Sequence, residues 1–194
     1  MRIFVTGGSG FLGSRMIGTL VNQGHEVFAL ARSTSSGERV RALGAKPITG
    51  DLERSEQLSL PKIEAVVHAA AYFRFAGPRA PYFRANVEGT RALLTAAQKA
   101  GAATFIYVSA GGVVMDDRGS SIHDADERAP TFPNSFSGYI ASKARTSLVF
   151  AQLRSARPPS GVRAIHSAES FLAPSPQASS RLLNAATILS RFAT

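Results

Sequence analysis

Apolar and polar positions fall into blocks along the first 155 residues, and the blocks alternate between two periods. Short apolar runs at 2–6, 26–31, 46–49, 64–70 and 103–109 have the length and the β-branched and aromatic content of strands. Helix-like runs lie between and after them, at 11–23, 36–43, 81–100 and 136–155. Such alternation predicts a parallel sheet covered by helices on both faces. The runs 65–70 and 105–108 are nearly continuous in apolar residues, as strands buried on both faces should be. The helix at 81–100 takes Pro81 in its first turn, where a missing N–H costs little, and Gly101 ends it. The stretch 110–135 carries Gly111, Gly112, Asp116, Asp117, Gly119, Pro130 and Pro133, and reads as a long loop over the carboxyl ends of the strands. Loops of that length inside a domain are usually functional. Beyond residue 155 the texture changes to Ser, Ala, Pro and Arg. Residues 161–165 open a sixth strand that 166–170 does not continue, and 181–193 has the pattern of a short helix.

Size and composition narrow the reading. A chain of 194 residues accommodates one α/β domain and no substantial second one. The expected division is a domain at 1–165 and an atypical Ser/Ala/Pro-rich tail at 166–194. With 44% hydrophobic and 18% charged residues the composition is that of a globular protein. The chain has no cysteine, which removes disulfides and thiol chemistry and suits a reducing compartment. No leader pattern stands before the first strand and no apolar run approaches the ~18 residues of a membrane span, so the expected setting is cytoplasmic, without a membrane partner. The net charge of +9 raises the question of nucleic acid. In 151–194 five arginines face Glu169 alone, and no basic stripe interleaved with aromatics appears. The charge reads as a solvated surface; neither a nucleic-acid partner nor a metal site is expected.

The chemistry starts at the first strand–helix junction. Thr6, Gly7, Gly8, Ser9, Gly10, Phe11, Leu12 and Gly13 follow strand 2–6 directly and open helix 11–23. In that context the glycines have distinct uses: Gly7 for a tight turn, Gly10 for close approach of the backbone to a pyrophosphate, Gly13 for close helix packing. The phosphates would lie at a helix N-terminus, where unpaired N–H groups and the helix dipole favour anions. The implied fold is a Rossmann-type, doubly wound α/β sheet. Sites for NAD usually carry a carboxylate at the end of the second strand. Here Ala31 is followed by Arg32, whose guanidinium suits a 2′-phosphate, so NADP is expected, with NAD possible.

Further motifs follow in a fixed order, and with them the chain resembles the extended short-chain dehydrogenase/reductase family of the NAD-dependent epimerase/dehydratase type. TGxxGxxG is Thr6 to Gly13, Asp51 and Leu52 are similar to the family's adenine-contacting pair, and His68, Ala69, Ala70 and Ala71 resemble its HxAA segment along the cofactor. Asn86, Val87, Glu88, Gly89 and Thr90 resemble NVxGT, whose Asn supports the active-site backbone. Tyr139, Ile140, Ala141, Ser142 and Lys143 match YxxSK, which implies Tyr139 as acid/base with Lys143 as its electrostatic partner and cofactor clamp. Four residues apart on a helix, the two share a face, and a nearby ammonium is expected to lower the phenol's pKa.

Two departures stand out. Aligned on Val113, Val114 and Met115, the family's catalytic Ser/Thr falls on Gly111; Ser109 is the nearest hydroxyl, with a structural role at the strand end as its alternative. The family's C-terminal substrate domain is largely missing, which reads as a truncated or frameshifted chain or a natural short form. The resemblance implies an NADP-dependent oxidoreductase or epimerase-like enzyme acting on a small-molecule carbonyl or secondary alcohol, with a homodimer possible through the helices at 81–100 and 136–155. A non-catalytic NADP(H)-binding or sensing protein, and an inactive fragment, stand as alternatives.

Overall fold

The computed structural model describes residues 1–120, 129–155 and 163–167. The tail's expected helix at 181–193 lies outside them.

Six strands form one parallel sheet: β1 (Arg2–Thr6), β2 (Glu26–Ala31), β3 (Lys46–Thr49), β4 (Ala65–His68), β5 (Thr104–Val108) and β6 (Arg163–Ser167). Their order is β3-β2-β1-β4-β5-β6, so the chain reverses direction across the sheet at the β1/β4 boundary. The helices are α1 (Phe11–Asn22), α2 (Thr34–Ala42), α3 (Arg79–Phe83), α4 (Gly89–Lys99) and α5 (Gly138–Ser155). This is the Rossmann-type topology that the alternation of blocks implied.

Neighbouring strand residues point to opposite faces, and the two cores divide accordingly. Ile3, Val5, Val27, Ala29, Ala65 and Val67 pack with Ile17, Leu20 and Val40 from α1 and α2. Phe4, Phe28, Leu30, Val66, Phe105 and Tyr107 pack with Leu93, Leu94 and Phe150 from α4 and α5. Ser33 caps α2: its hydroxyl accepts from the Ser36 N–H while the Ser36 hydroxyl accepts from the Ser33 N–H. Gly101, at φ +87°, follows the C-cap of α4 as expected.

Two local readings change. The single helix at 81–100 is three pieces, with a π turn at Arg84–Glu88 between α3 and α4. Apolar spacing does not register one extra residue per turn, so the pattern alone could not locate it. The last strand continues through His166 and Ser167, which pair with Tyr107 and Val108. Backbone pairing along β5 carries those two residues despite their polar side chains. Among the described residues no helix is long and apolar enough to cross a membrane.

Phe105 is fully buried between His68 and Phe150. Phe105→Ala should cost about 3–5 kcal/mol, read as a lowered urea midpoint with an unchanged slope.

Candidate active site

All six strands run the same way, so their carboxyl ends share one rim, and a cavity of about 480 Å³ opens there. Its walls come from the loop after β1 (Gly7, Ser9, Gly10), the start of α2 (Arg32, Ser33, Ser36), the segment after β3 (Asp51, Leu52, Glu53) and residues 69–74 after β4. Asn86 closes one side.

The glycine loop shows why its residues are small. Gly7 has φ +74°, and a Cβ there would stand 2.8 Å from the Ala70 nitrogen. At Gly13 a Cβ would fall on the Gly7 carbonyl oxygen and 2.6 Å from its carbon, so this glycine lets α1 close onto the loop. Gly8 is buried, where a Cβ would meet Ile17 and Val40; it serves packing. Leu12 joins the same core, while Phe11 is exposed and stacked under Arg15. The N-cap of α1 is Gly10, with no side chain to occupy the first turn's N–H groups. The cradle fits a dinucleotide pyrophosphate: the backbone is bare, close and rich in donors.

Asp51 accepts from the Glu53 N–H, as a local cap does, and also lines the cavity. Ser33, Ser36, Phe73 and Arg74 were not singled out from sequence. A run of four hydroxyl residues directly after Arg32, and an aromatic run directly after the triple alanine, were the available signals.

Behind the rim lies a buried hydrogen-bonded chain whose directions can be worked out. Thr6 Oγ1 accepts from the Ala70 N–H and lies 2.6 Å from His68 Nδ1. Thr90 Oγ1 donates to the Asn86 carbonyl and lies 2.8 Å from His68 Nε2. With its proton committed to Asn86, the Thr90 hydroxyl must accept from His68 Nε2–H, so Nδ1 accepts from Thr6. His68 is therefore a neutral imidazole of one tautomer, and burial, with Lys143 adding repulsion, lowers its pKa to about 3.

Asn86 connects this chain to α5. Its Oδ1 accepts from the Tyr72 N–H at 2.7 Å, and its Nδ2 donates to the Tyr72 carbonyl and to Ser142 Oγ. Its carbonyl also accepts from Thr146 of α5. Because Asn86 sits within the π turn, its side chain and carbonyl reach two different elements.

Tyr139 and Lys143 stand on α5 as the motif implied, yet they are not paired. Lys143 is 2% exposed and donates to the Val108 carbonyl at 2.7 Å, its ammonium 4.2 Å from the centre of the Tyr107 ring. Burial lowers the Lys143 pKa to about 7. The Tyr139 phenol is raised by burial, opposite to the lowering expected from an adjacent ammonium, because that ammonium is turned toward β5. Tyr139 packs edge-on against Phe73, with ring centres 4.8 Å apart. Ser109 is buried, its hydroxyl 3.2 Å from that of Ser147.

The sequence profile of the NAD dependent epimerase/dehydratase family matches residues 3–165. The chain belongs to that family. It is 41% identical over 147 residues to a 4-hydroxy-2-methyl-3-oxo-4-farnesyl-3,4-dihydroquinoline-1-oxide ketoreductase of Stigmatella aurantiaca, covering 75% of this chain and 43% of that one. A 3-beta-hydroxysteroid dehydrogenase of Mycolicibacterium neoaurum is 35% identical over 142 residues, 66% of this chain and 37% of its own. A short-chain dehydrogenase/reductase superfamily structure from Agrobacterium tumefaciens with bound NAD superposes with a TM-score of 0.68 at 29% identity, covering 86% of this chain and 48% of that one. The chain thus spans less than half the length of each of these family members.

The imidazole supplies a pH test. An unfolded His68 binds a proton below pH 6.5 that the native state refuses down to about 3, so stability should fall as pH drops through that window. The loss between pH 6.5 and 5 should be roughly 2 kcal/mol. Nitrogen-15 NMR should show a neutral, Nε2-protonated ring at pH 5; a midpoint near 6.5 would contradict the buried chain.

Proposed function

We propose that the rim binds NADPH in preference to NADH and that the chain interconverts a carbonyl and a secondary alcohol on a small molecule. The observation carrying this is that Arg32, in place of a carboxylate after β2, shares one cavity with Gly7 and Gly10 and is flanked there by Ser33 and Ser36. A guanidinium beside two hydroxyls and a helix N-terminus suits a 2′-phosphate. The NAD bound to the A. tumefaciens structure supports a nicotinamide dinucleotide, and the ketoreductase and dehydrogenase names of the two relatives support carbonyl–alcohol chemistry. When bound, the nicotinamide supplies or accepts the hydride.

The protein's own groups hold the nucleotide and handle the proton. The 7–13 loop and α1 take the pyrophosphate, Asp51 and Leu52 the adenine end, and Ala69 to Ala71 the body of the cofactor. Tyr139, with its phenol held up by burial, is protonated through neutral pH and fit to donate to a carbonyl oxygen. Lys143 is assigned to the ribose, and its charge reaches the phenol only once the ammonium leaves the Val108 carbonyl that holds it here; its lowered pKa makes that charge responsive to whatever accepts its protons. Asn86 holds the backbone at Tyr72 and the helix at Ser142 in register. A homodimer through α4 and α5 belongs to the same reading; the partly exposed Leu148 of α5 is a position it would cover.

A second reading, an NADP(H) binder without turnover, is favoured by one observation. Ser109 is committed to Ser147, and glycine stands at 111, where the family's hydroxyl aligns.

Fluorescence titration should give a lower Kd for NADPH than for NADH. Arg32→Ala should weaken NADPH by about 10–100-fold and leave NADH unchanged, as loss of a charge-assisted contact does. Equal affinities would remove the 2′-phosphate assignment. Tyr139→Phe should retain NADPH binding and lose at least about 10²-fold in carbonyl reduction. Undiminished reduction would remove Tyr139 as acid.

A further inference from the structure

Beside Tyr139 the molecule exposes aromatic rings. Phe73 is 51% exposed and Phe75 98%, and the two pack edge to face with centres 5.1 Å apart. Phe73 also touches Tyr139 and lines the cavity, so the ring pair extends outward from the place where the phenol stands. Phe136, three residues before Tyr139, is 78% exposed.

Part of the backbone beside these rings is already committed. Both the N–H and the carbonyl of Tyr72 are taken by the Asn86 side chain. The Arg74 carbonyl accepts from the Tyr82 hydroxyl. On the other segment, the Phe136 N–H is held by Asp117, and the carbonyls of Ser135 and Phe136 accept from Arg79. Anchored inward by their polar atoms, the two segments turn ring surface outward. Against the ring faces themselves a sugar would bury hydroxyls without partners, a cost that an apolar ring system avoids; Arg74, exposed between the two rings, is the polar group at this place. The paired rings of Phe73 and Phe75 form an apolar patch continuous with the cavity, of the kind that ligand-binding surfaces expose.

We propose that Phe73 and Phe75 receive the apolar, cyclic body of the substrate and hold its carbonyl or alcohol toward Tyr139. This rests on the reading of Tyr139 as proton donor and of the cavity as an NADP(H) site. The substrate class is therefore an alicyclic or fused-ring ketone or secondary alcohol.

The experiment uses the full chain. NADPH affinity is measured first, then trans-1-decalone and UDP-glucose are each titrated by calorimetry into the chain saturated with NADP⁺, which has no hydride to give the ketone; NADPH absorbance at 340 nm reports any oxidation of the sugar nucleotide. Decalone should bind saturably and UDP-glucose should not. Phe75→Ala should weaken decalone about fivefold or more while leaving NADPH affinity within about twofold, since this ring offers only an apolar face; Phe75→Leu should recover part of the loss. NADPH binding without saturable decalone binding overturns the proposal alone. So does decalone binding indifferent to residue 75, as would follow if another protein segment covers these rings, or a preference for UDP-glucose. Failure of the chain to bind NADPH overturns the reading of the cavity and this proposal with it.

Discussion

The rim depends on one neutral imidazole. His68 spans the gap between Thr6 on β1 and Thr90 on α4, and each hydroxyl passes its own proton or lone pair onward, to Ala70 on one side and Asn86 on the other. Every member of this chain is satisfied in only one arrangement of protons. A buried polar network of that kind is worth keeping only when complete, because any unpaired member would bear the full cost of desolvation. The glycine loop, the alanines beside it and the π turn are thereby fixed relative to one another through side chains that never reach the cavity.

Asn86 carries that order across to α5. One amide clamps both backbone groups of Tyr72 and the hydroxyl of Ser142, while its carbonyl receives Thr90 and Thr146. The tight hold on Tyr72 sets where the next residue, Phe73, stands against Tyr139. Position of the aromatic edge, position of α5 and identity of the imidazole tautomer are one problem in this fold, solved at one residue.

Much of this was legible in residue order. The alternation of blocks specified the parallel sheet because buried parallel strands and their covering helices leave different periods, and Thr6 to Gly13 was readable because strand, turn and helix had to meet there. The π turn was invisible: helical periodicity around Ala85 and Asn86 is barely altered by one inserted residue. The direction of Lys143 was also beyond the motif, since a spacing of four places two side chains on one face without choosing which neighbour a long flexible chain will meet. Ser109 shows the same limit, for its partner Ser147 lies on an element distant in sequence. The HxAA resemblance set His68 along the cofactor with the alanines, and only the register that puts Thr6 beside it reveals its buried role behind the rim.

The separation between the glycine loop and Arg32 has a consequence for how such a protein can change over time. The loop is pinned by backbone against backbone, with Gly13 pressed on the Gly7 carbonyl and Gly7 against Ala70, and leaves no room for side-chain experiment. Arg32 and Ser33 stand on an exposed turn of a different element, where replacement disturbs no core. On the proposed role of Arg32, grip on the shared part of a dinucleotide and choice between dinucleotides are inherited independently. A lineage built on this scaffold can trade one electron carrier for another by drift at a surface turn, while the part of the fold that holds either of them stays frozen.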